Sequence, residues 1–262
     1  MLLTTITVAV LAAAAAWVVA GRLHRFAYWI DKKSDAAIAA LAQGRWRVDR
    51  LAVAPGVDLG GLVRQPTGDG PHRWILFVPG NSTALLPGFR QELDRCCPAA
   101  AGVAFWAYRG FDNSGGVPTP AALRADLDKQ WQRVRELAGG APIEVFGYSL
   151  GSPLAVQLAG ELCARGEAPA RLVLAAAAPS IPVMPAGLFG RFRPDDVYDA
   201  TAGAPLVTCP VAIVHGEADD ALPLAGARAL AARFKAANLY VAPGKGHADL
   251  WDDVARQAFG AR

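Results

Sequence analysis

Six short and almost uninterrupted apolar runs, separated by stretches with helical periodicity, constrain the fold of this chain most strongly. The runs lie at 73–78, 103–108, 143–146, 171–177, 211–214 and 238–242. Runs of this length without polar alternation are typical of strands that are buried on both faces of a parallel sheet. Parallel strands need long crossover connections, which are usually helices. The sequence therefore predicts an α/β domain with a mostly parallel sheet and helices on both faces.

Two further strands and one crossover helix can be located beside this series. Residues 46–53 and 59–64 flank a Pro55-Gly56 turn, which predicts a hairpin and brings the sheet to about eight strands. Residues 119–138 begin with Thr-Pro, end before two glycines and carry leucines at helical spacing, so they predict an amphipathic helix. The proline-rich, irregular segment 178–208 predicts a short lid-like insertion above the sheet.

Composition narrows the class of protein. Apolar residues make up 53% of the chain and charged residues 19%, which excludes a disordered protein. The 26 basic and 23 acidic residues are scattered, and this argues against nucleic acid as a partner. We expect no zinc site, because the four cysteines lack the paired spacing of one and are interpreted as ordinary core thiols: Cys96, Cys97, Cys163 and Cys209.

The amino-terminal segment is apolar enough to reach across a bilayer. Residues 2–20 carry no charge and would extend roughly 29 Å as a helix. The nearby basic residues follow this segment and do not precede it, at Arg22, Arg25, Lys32 and Lys33. That asymmetry favours a retained anchor with its carboxyl side in the cytoplasm over a cleaved signal peptide.

Two alternatives for this segment stay open. Val18-Val19-Ala20 would serve as a signal cleavage site, which would give a secreted or periplasmic protein, and the segment could also pack on the domain as a buried helix. The predicted organisation is an anchor or signal peptide at 1–21, a juxtamembrane helix at 22–45, and one α/β domain at 46–262.

A candidate nucleophile follows one of the buried runs. Gly147-Tyr148-Ser149-Leu150-Gly151 comes directly after the run at 143–146 and directly before a helical stretch. A G-x-S-x-G string in that context predicts a sharp strand-to-helix turn that exposes the serine hydroxyl above the sheet. Glycines are needed at both flanks because a Cβ there would collide with neighbouring backbone. Ser149 is therefore the candidate nucleophile.

A serine nucleophile needs a base and a group that orients the base. Among the four histidines, His247 lies in a glycine loop after the last predicted strand, so its ring can reach the carboxyl edge of the sheet. His215 is interpreted as a structural turn residue. After the penultimate predicted strand, three acids compete for the orienting role: Glu217, Asp219 and Asp220.

The order Ser, Asp, His, together with G-Y-S-L-G, H-G-E-A-D-D-A-L-P and G-K-G-H, resembles the α/β-hydrolase superfamily over residues 46–262. The resemblance implies the α/β-hydrolase fold and makes Asp219 the acid of a triad with His247 and Ser149. Glu217 and Asp220 are then expected to be solvated turn residues.

The resemblance also implies an oxyanion hole. Its donors would be the backbone N–H of Leu150, after the nucleophile, and of Asn81, in the loop Val78-Pro79-Gly80-Asn81-Ser82. This loop resembles the H-G-N loop of membrane-tethered lysophospholipase-like and depalmitoylase-like hydrolases, with Pro79 replacing the histidine. The segment from Tyr108 to Pro118 resembles a structural loop of the same branch, and no catalytic role is assigned to Arg109 or to Asp112, which replaces a glycine.

These residue types predict a serine hydrolase that cleaves a carboxylic ester or thioester in a small-molecule or acyl substrate through an acyl-enzyme. We expect it to need no metal and no cofactor. A serine rules out an alkyl-enzyme ester, which needs a carboxylate nucleophile. Two alternatives remain: a peptidase of the same fold, and a non-catalytic, membrane-tethered binding protein.

Overall fold

A computed structural model of the protein describes residues 30–68, 72–81, 87–180 and 198–260. In these ranges eight strands form a single sheet: β1 Trp46–Ala54, β2 Val57–Arg64, β3 Arg73–Val78, β4 Ala101–Trp106, β5 Ile143–Tyr148, β6 Arg171–Ala175, β7 Val211–Gly216 and β8 Asn238–Ala242. The helices of the same ranges are α1 Asp35–Ala39, α2 Pro87–Cys96, α3 Pro120–Ala138, α4 Gly151–Ala164, α5 Leu224–Ala231 and α6 Trp251–Phe259, with a 3₁₀ turn at Ala204–Leu206.

The strand order explains why the catalytic candidates gather at one edge. The order is β1-β2-β4-β3-β5-β6-β7-β8, and the strands from β3 to β8 all run parallel. The β1–β2 hairpin pairs antiparallel with β4 at one side of the sheet. The carboxyl ends of the parallel strands, and the loops that follow them, therefore share one edge. The predicted mostly parallel sheet of about eight strands is confirmed.

The helices cover this sheet in two groups. The connections β3–β4 and β4–β5 run in opposite directions along the sheet, so right-handed crossovers place α2 and α3 on opposite faces. Helix α3 packs against α4, and α2 packs against α6. The strands between them are buried, with Leu76, Phe77 and Val78 of β3 fully inaccessible. The fold is therefore a sheet enclosed by helices, as expected.

The crossover helix α3 begins and ends where its sequence predicts. The Thr119 hydroxyl caps the first turn by accepting a hydrogen bond from the Ala122 N–H at 3.2 Å. Gly139 ends the helix in the left-handed conformation, with φ 55°. The apolar stripe of α3 is buried, as predicted, at Leu123, Leu127, Trp131 and Val134.

The helix predicted within 22–45 occupies only Asp35–Ala39 in the described part of that range. The preceding residues are instead paired with a distant loop: the Lys33 N–H donates to the Asp112 carbonyl at 3.1 Å, and the Asp112 N–H donates to the Asp31 carbonyl at 2.8 Å. The Ser34 hydroxyl then caps the short helix by accepting from the Ala37 N–H. The prediction of a longer helix is wrong for 30–34, because the backbone of Asp31 and Lys33 pairs with Asp112 in an isolated β-bridge.

Two other predicted features lie outside the described residues, wholly or in part. The apolar segment 2–20 is outside them, as are residues 181–197 of the lid-like segment. Among the helices that the structure describes, none has the length and apolar character needed to cross a bilayer.

Candidate active site

The turn between β5 and α4 presents Ser149 in a strained backbone conformation. Ser149 has a φ of 52°, a left-handed value that residues other than glycine rarely adopt. Its N–H donates to the Ala175 carbonyl at 3.0 Å, and its carbonyl accepts from the N–H and hydroxyl of Ser152, both at 2.8 Å. These bonds fix the turn, and the Ser149 side chain remains partly exposed at the edge of the sheet.

Both flanking glycines are required by close backbone contacts. A Cβ on Gly147 would lie 2.6 Å from the Gly151 carbonyl oxygen, and a Cβ on Gly151 would lie 2.0 Å from the Val78 carbonyl oxygen. Contacts this short are forbidden to real side chains. The turn can therefore form only with glycine at these two positions unless neighbouring backbone moves.

The structure brings Ser149, His247 and Asp219 into one hydrogen-bonded chain. His247 Nε2 lies 2.9 Å from Ser149 Oγ, and His247 Nδ1 lies 2.8 Å from Asp219 Oδ2. A carboxylate only accepts, so the proton on Nδ1 points to Asp219 and Nε2 is left to accept from the serine hydroxyl. This is the tautomer that a general base needs.

Burial separates Asp219 from its two acidic neighbours. The Asp219 side chain is fully buried, whereas Glu217 and Asp220 are exposed. Asp219 Oδ1 accepts from the backbone N–H of Ala221 at 3.0 Å and of Leu222 at 2.8 Å. The loop after β7 thus holds one carboxylate rigidly and leaves Oδ2 for the imidazole.

Tyr148, at the end of β5, contacts the loop that carries His247. Its hydroxyl donates to the His247 carbonyl at 3.1 Å, and its ring lies 5.6 Å from the imidazole and 5.0 Å from the Trp251 ring. Burial, followed by the nearby carboxylates of Asp219 and Asp249, raises the pKa of Tyr148 to about 12. The phenol is therefore neutral and acts as a donor over the physiological range.

His215 is buried next to the same carboxylate. Its Nε2 lies 2.8 Å from the Leu222 carbonyl oxygen and 3.6 Å from Asp219 Oδ2. Burial lowers the pKa of His215, while the bond to Leu222 and the charge of Asp219 oppose that shift in part. His215 thus holds the loop after β7 as a neutral donor, which agrees with its interpretation as a structural turn residue.

The loop predicted to supply the second oxyanion donor lies beside the serine. A Cβ on Gly80 would be 3.3 Å from the Cβ of Ser149, so Asn81 follows directly on a residue in contact with the nucleophile. Leu150 occupies the N-cap position of α4, one residue after Ser149. The Tyr108 hydroxyl donates to the Pro79 carbonyl at 2.6 Å and braces this loop.

The remaining motif residues have structural contacts. Arg109 forms a two-bonded ion pair with the buried Asp126, with both distances 2.7 Å, and Asp112 is buried with φ 47°. Sequence reasoning did not single out the contacts of Tyr108 and Tyr148, although both residues lie inside motifs that it had identified. The signal for both is a tyrosine at the end of a buried strand or two residues after it.

Comparisons with known proteins agree with this architecture. The family model described as "Thioesterase domain" matches residues 90–185. The chain is 26% identical over 170 residues to a zebrafish (Danio rerio) lysophosphatidylserine lipase ABHD12, and the match covers 58% of this chain and 44% of that protein. It is 30% identical over 186 residues to mouse (Mus musculus) alpha/beta hydrolase domain-containing protein 17C, a match covering 67% of this chain and 54% of that protein. The chain thus spans about half the length of these relatives.

Solved structures show the same fold at lower identity. Est1E from Butyrivibrio proteoclasticus, solved with bound ferulic acid, superposes with a TM-score of 0.67 at 16% identity. The match covers 80% of this chain and 98% of that one. At this identity the likeness concerns the fold alone.

Proposed function

Because this chain belongs to the α/β-hydrolase superfamily, we propose that it is a serine hydrolase that cleaves carboxylic ester or thioester bonds. The main support is the hydrogen-bonded chain from Asp219 through His247 to Ser149, with distances of 2.8 and 2.9 Å. Each member can play one role in acyl transfer: Ser149 as nucleophile, His247 as base and Asp219 as the group that orients the base.

The reaction follows from these roles. His247 Nε2 takes the proton of Ser149 while Oγ attacks the acyl carbon, and the carbonyl oxygen becomes an oxyanion next to the N–H groups of Leu150 and Asn81. Collapse of this intermediate breaks the bond to the leaving alcohol or thiol, which takes the proton from His247. Water, deprotonated by the same imidazole, then attacks the acyl carbon. The bond to Ser149 Oγ breaks, the acid leaves, and Oγ takes its proton back from His247.

An acyl-lipid substrate is the finer form of the proposal. It is supported by the match to a thioesterase domain and by the partial match to a relative named for its action on a lysophospholipid. The uncharged segment 2–20 supports association with a membrane, where such substrates would be concentrated. Fractionation of cells that express the carboxyl-terminally tagged protein tests this association, and recovery of full-length protein in the cytosol would contradict it.

Labelling with a fluorophosphonate probe tests the catalytic proposal. The probe should label the wild-type protein and should not label Ser149→Ala. Ser34→Ala, which changes the exposed N-cap residue of α1, is the control and should be labelled like the wild type. Absence of labelling in folded wild-type protein would favour a non-catalytic binding protein. Rates on p-nitrophenyl esters, acyl thioesters and amino-acid amides then separate the substrate classes, and faster turnover of amides would indicate a peptidase instead.

A further inference from the structure

Tyr108 lies in the loop after β4. The neighbouring loop, after β3, carries Asn81, the predicted oxyanion donor. Strands β3 and β4 are adjacent and parallel, so the residues that follow them meet at the same edge. Tyr108 comes two residues after the end of β4, and Pro79 comes directly after β3. The phenol is 1% exposed and its hydroxyl donates to the Pro79 carbonyl oxygen at 2.6 Å.

This bond acts one peptide away from the oxyanion donor. The Pro79 carbonyl belongs to the peptide that joins residue 79 to Gly80, and the next peptide carries the Asn81 N–H. Proline has no N–H, so its carbonyl is the only polar group with which residue 79 can be held.

The opposite side of the loop rests on the nucleophile turn. A Cβ on Gly151 would be 2.0 Å from the Val78 carbonyl oxygen and 2.6 Å from the Pro79 carbonyl oxygen. The backbone of residues 78–80 is therefore confined between the first residue of α4 and the hydroxyl of Tyr108. A rotation of the peptide between Pro79 and Gly80 would break the bond to Tyr108, and it would also turn the N–H that follows.

Tyr108 is itself held in place by its neighbours in the chain. The Ser114 hydroxyl donates to the Ala107 carbonyl at 2.9 Å and accepts from the Gly60 N–H at 3.0 Å. Arg109 is fixed by its ion pair with Asp126, and the Tyr108 ring packs edge-on against Phe111 at 5.9 Å. The residues on both sides of Tyr108 are thus anchored, and the phenol is presented to Pro79 with little freedom.

We propose that Tyr108 is a positioning residue for the oxyanion hole, which it orients through the Pro79 carbonyl. The inference rests on the proposed function, because it assigns the Asn81 N–H as an oxyanion donor. It assigns a function to the Tyr108–Pro118 motif that the triad leaves unused. Tyr108 contacts neither the substrate nor the reacting atoms, so its effect is confined to the steps in which negative charge develops on the carbonyl oxygen.

The variant Tyr108→Phe tests this role because it keeps the ring and removes the hydroxyl. Loss of an entire oxyanion donor lowers kcat by roughly 100- to 1000-fold, so a misplaced donor should lower kcat about tenfold with KM unchanged. Affinity for a trifluoromethyl ketone, which forms a tetrahedral adduct with Ser149, should fall by the same factor as kcat. Tyr240→Phe in β8 is the matched control, and it should retain wild-type kcat and ketone affinity.

The outcomes separate this inference from the proposed function. Failure of the wild-type protein to hydrolyse both esters and thioesters and to react with the ketone would refute the proposed function. An active wild type with an equally active Tyr108→Phe would overturn the positioning role alone, as would a lower kcat with unchanged ketone affinity. If Tyr108→Phe does not fold, Ser114→Ala carries the same test. This variant keeps the phenol and removes the hydroxyl that holds the adjacent Ala107 carbonyl. Parallel losses of kcat and ketone affinity are again expected.

Discussion

Asp219 differs from the acids on either side of it in what its oxygens contact. Its carboxylate is buried and is shared between two backbone N–H groups and the His247 ring, whereas Asp220 is exposed and Glu217 accepts from the Gly244 N–H at 3.0 Å. A carboxylate held in this manner fixes the imidazole tautomer, because it accepts the Nδ1–H and leaves Nε2 to accept from the serine hydroxyl. The three acids are chemically similar, and their surroundings give them different roles.

Replacing one carboxylate by an amide should therefore have very different effects at adjacent positions. We expect Asp219→Asn to lower kcat by roughly 1000- to 10,000-fold, because an amide can donate to Nδ1 and favours the wrong tautomer. Asp220→Asn, its exposed neighbour, should keep the wild-type rate. Initial rates on a p-nitrophenyl ester measure both, and equal losses in the two variants would contradict the assignment of Asp219.

At the junction of β5 and α4, the nucleophile turn is in close contact with the end of strand β3. Gly151, the first residue of α4, contacts the carbonyls that end β3, so the position of the helix and that of the loop after β3 depend on each other. The positive φ of Ser149 costs on the order of 1–3 kcal/mol in an isolated turn, which the surrounding contacts must offset. The strained turn is stable because two parallel strands and one helix meet there.

A methyl group on Gly151 should disturb both parts of this junction. We expect Gly151→Ala to lower the free energy of unfolding by about 1–3 kcal/mol, since its Cβ would overlap the Val78 carbonyl. Ester hydrolysis should fall with it, because the loop that carries Asn81 must move. Urea unfolding and kcat measure the two effects.

Gly88→Ala is the matched control for this substitution. Gly88 lies in α2, is exposed and has nothing within 4 Å of an added Cβ. Alanine there should leave stability unchanged or slightly higher, because it is the better helix former. A Gly151→Ala variant as stable and active as Gly88→Ala would show that the junction tolerates movement.

The folded protein as a whole disfavours protonation of His215, because it buries the imidazole. The side chain is 0% exposed, and burial lowers its pKa from the ordinary value of 6.5. Between the lowered pKa and 6.5, His215 binds a proton more readily in the unfolded chain than in the folded protein. The contribution of this residue to stability is therefore complete above pH 6.5 and is lost progressively as the pH falls towards the lowered pKa.

The variant His215→Gln should remove this part of the pH dependence. Glutamine keeps an N–H donor near the Leu222 carbonyl and does not titrate. Urea unfolding at about pH 7.5 and about pH 5.5 should show a smaller loss of stability in the variant than in the wild type. His72→Gln is the control: it replaces a different histidine and should keep the pH dependence of the wild type. Equal pH dependence of stability in wild type and His215→Gln would refute the prediction.

Much of the architecture is predictable from local patterns. The apolar runs predict the parallel strands to within a few residues, and Thr119 and Gly139 mark the ends of α3. Gly147 and Gly151 flag the turn at Ser149, because only a close backbone approach requires glycine at both flanks. The helix predicted at 22–45 is present at Asp35–Ala39 and is wrong at 30–34, because residues 31–33 pair with Asp112, about eighty positions later.

The sequence by itself determined the kind of sheet, the order of its strands along the chain and the residue types available for acyl transfer, because hydrophobic periodicity and turn chemistry are local properties. Only the tertiary structure decided how the Asp219 carboxylate is held against His247 and which hydroxyl supports Pro79. These contacts join residues 28 and 29 positions apart, and they form because parallel strands bring their carboxyl ends to one edge. The register and direction of side chains at that edge depend on packing across the whole sheet, which no local segment encodes.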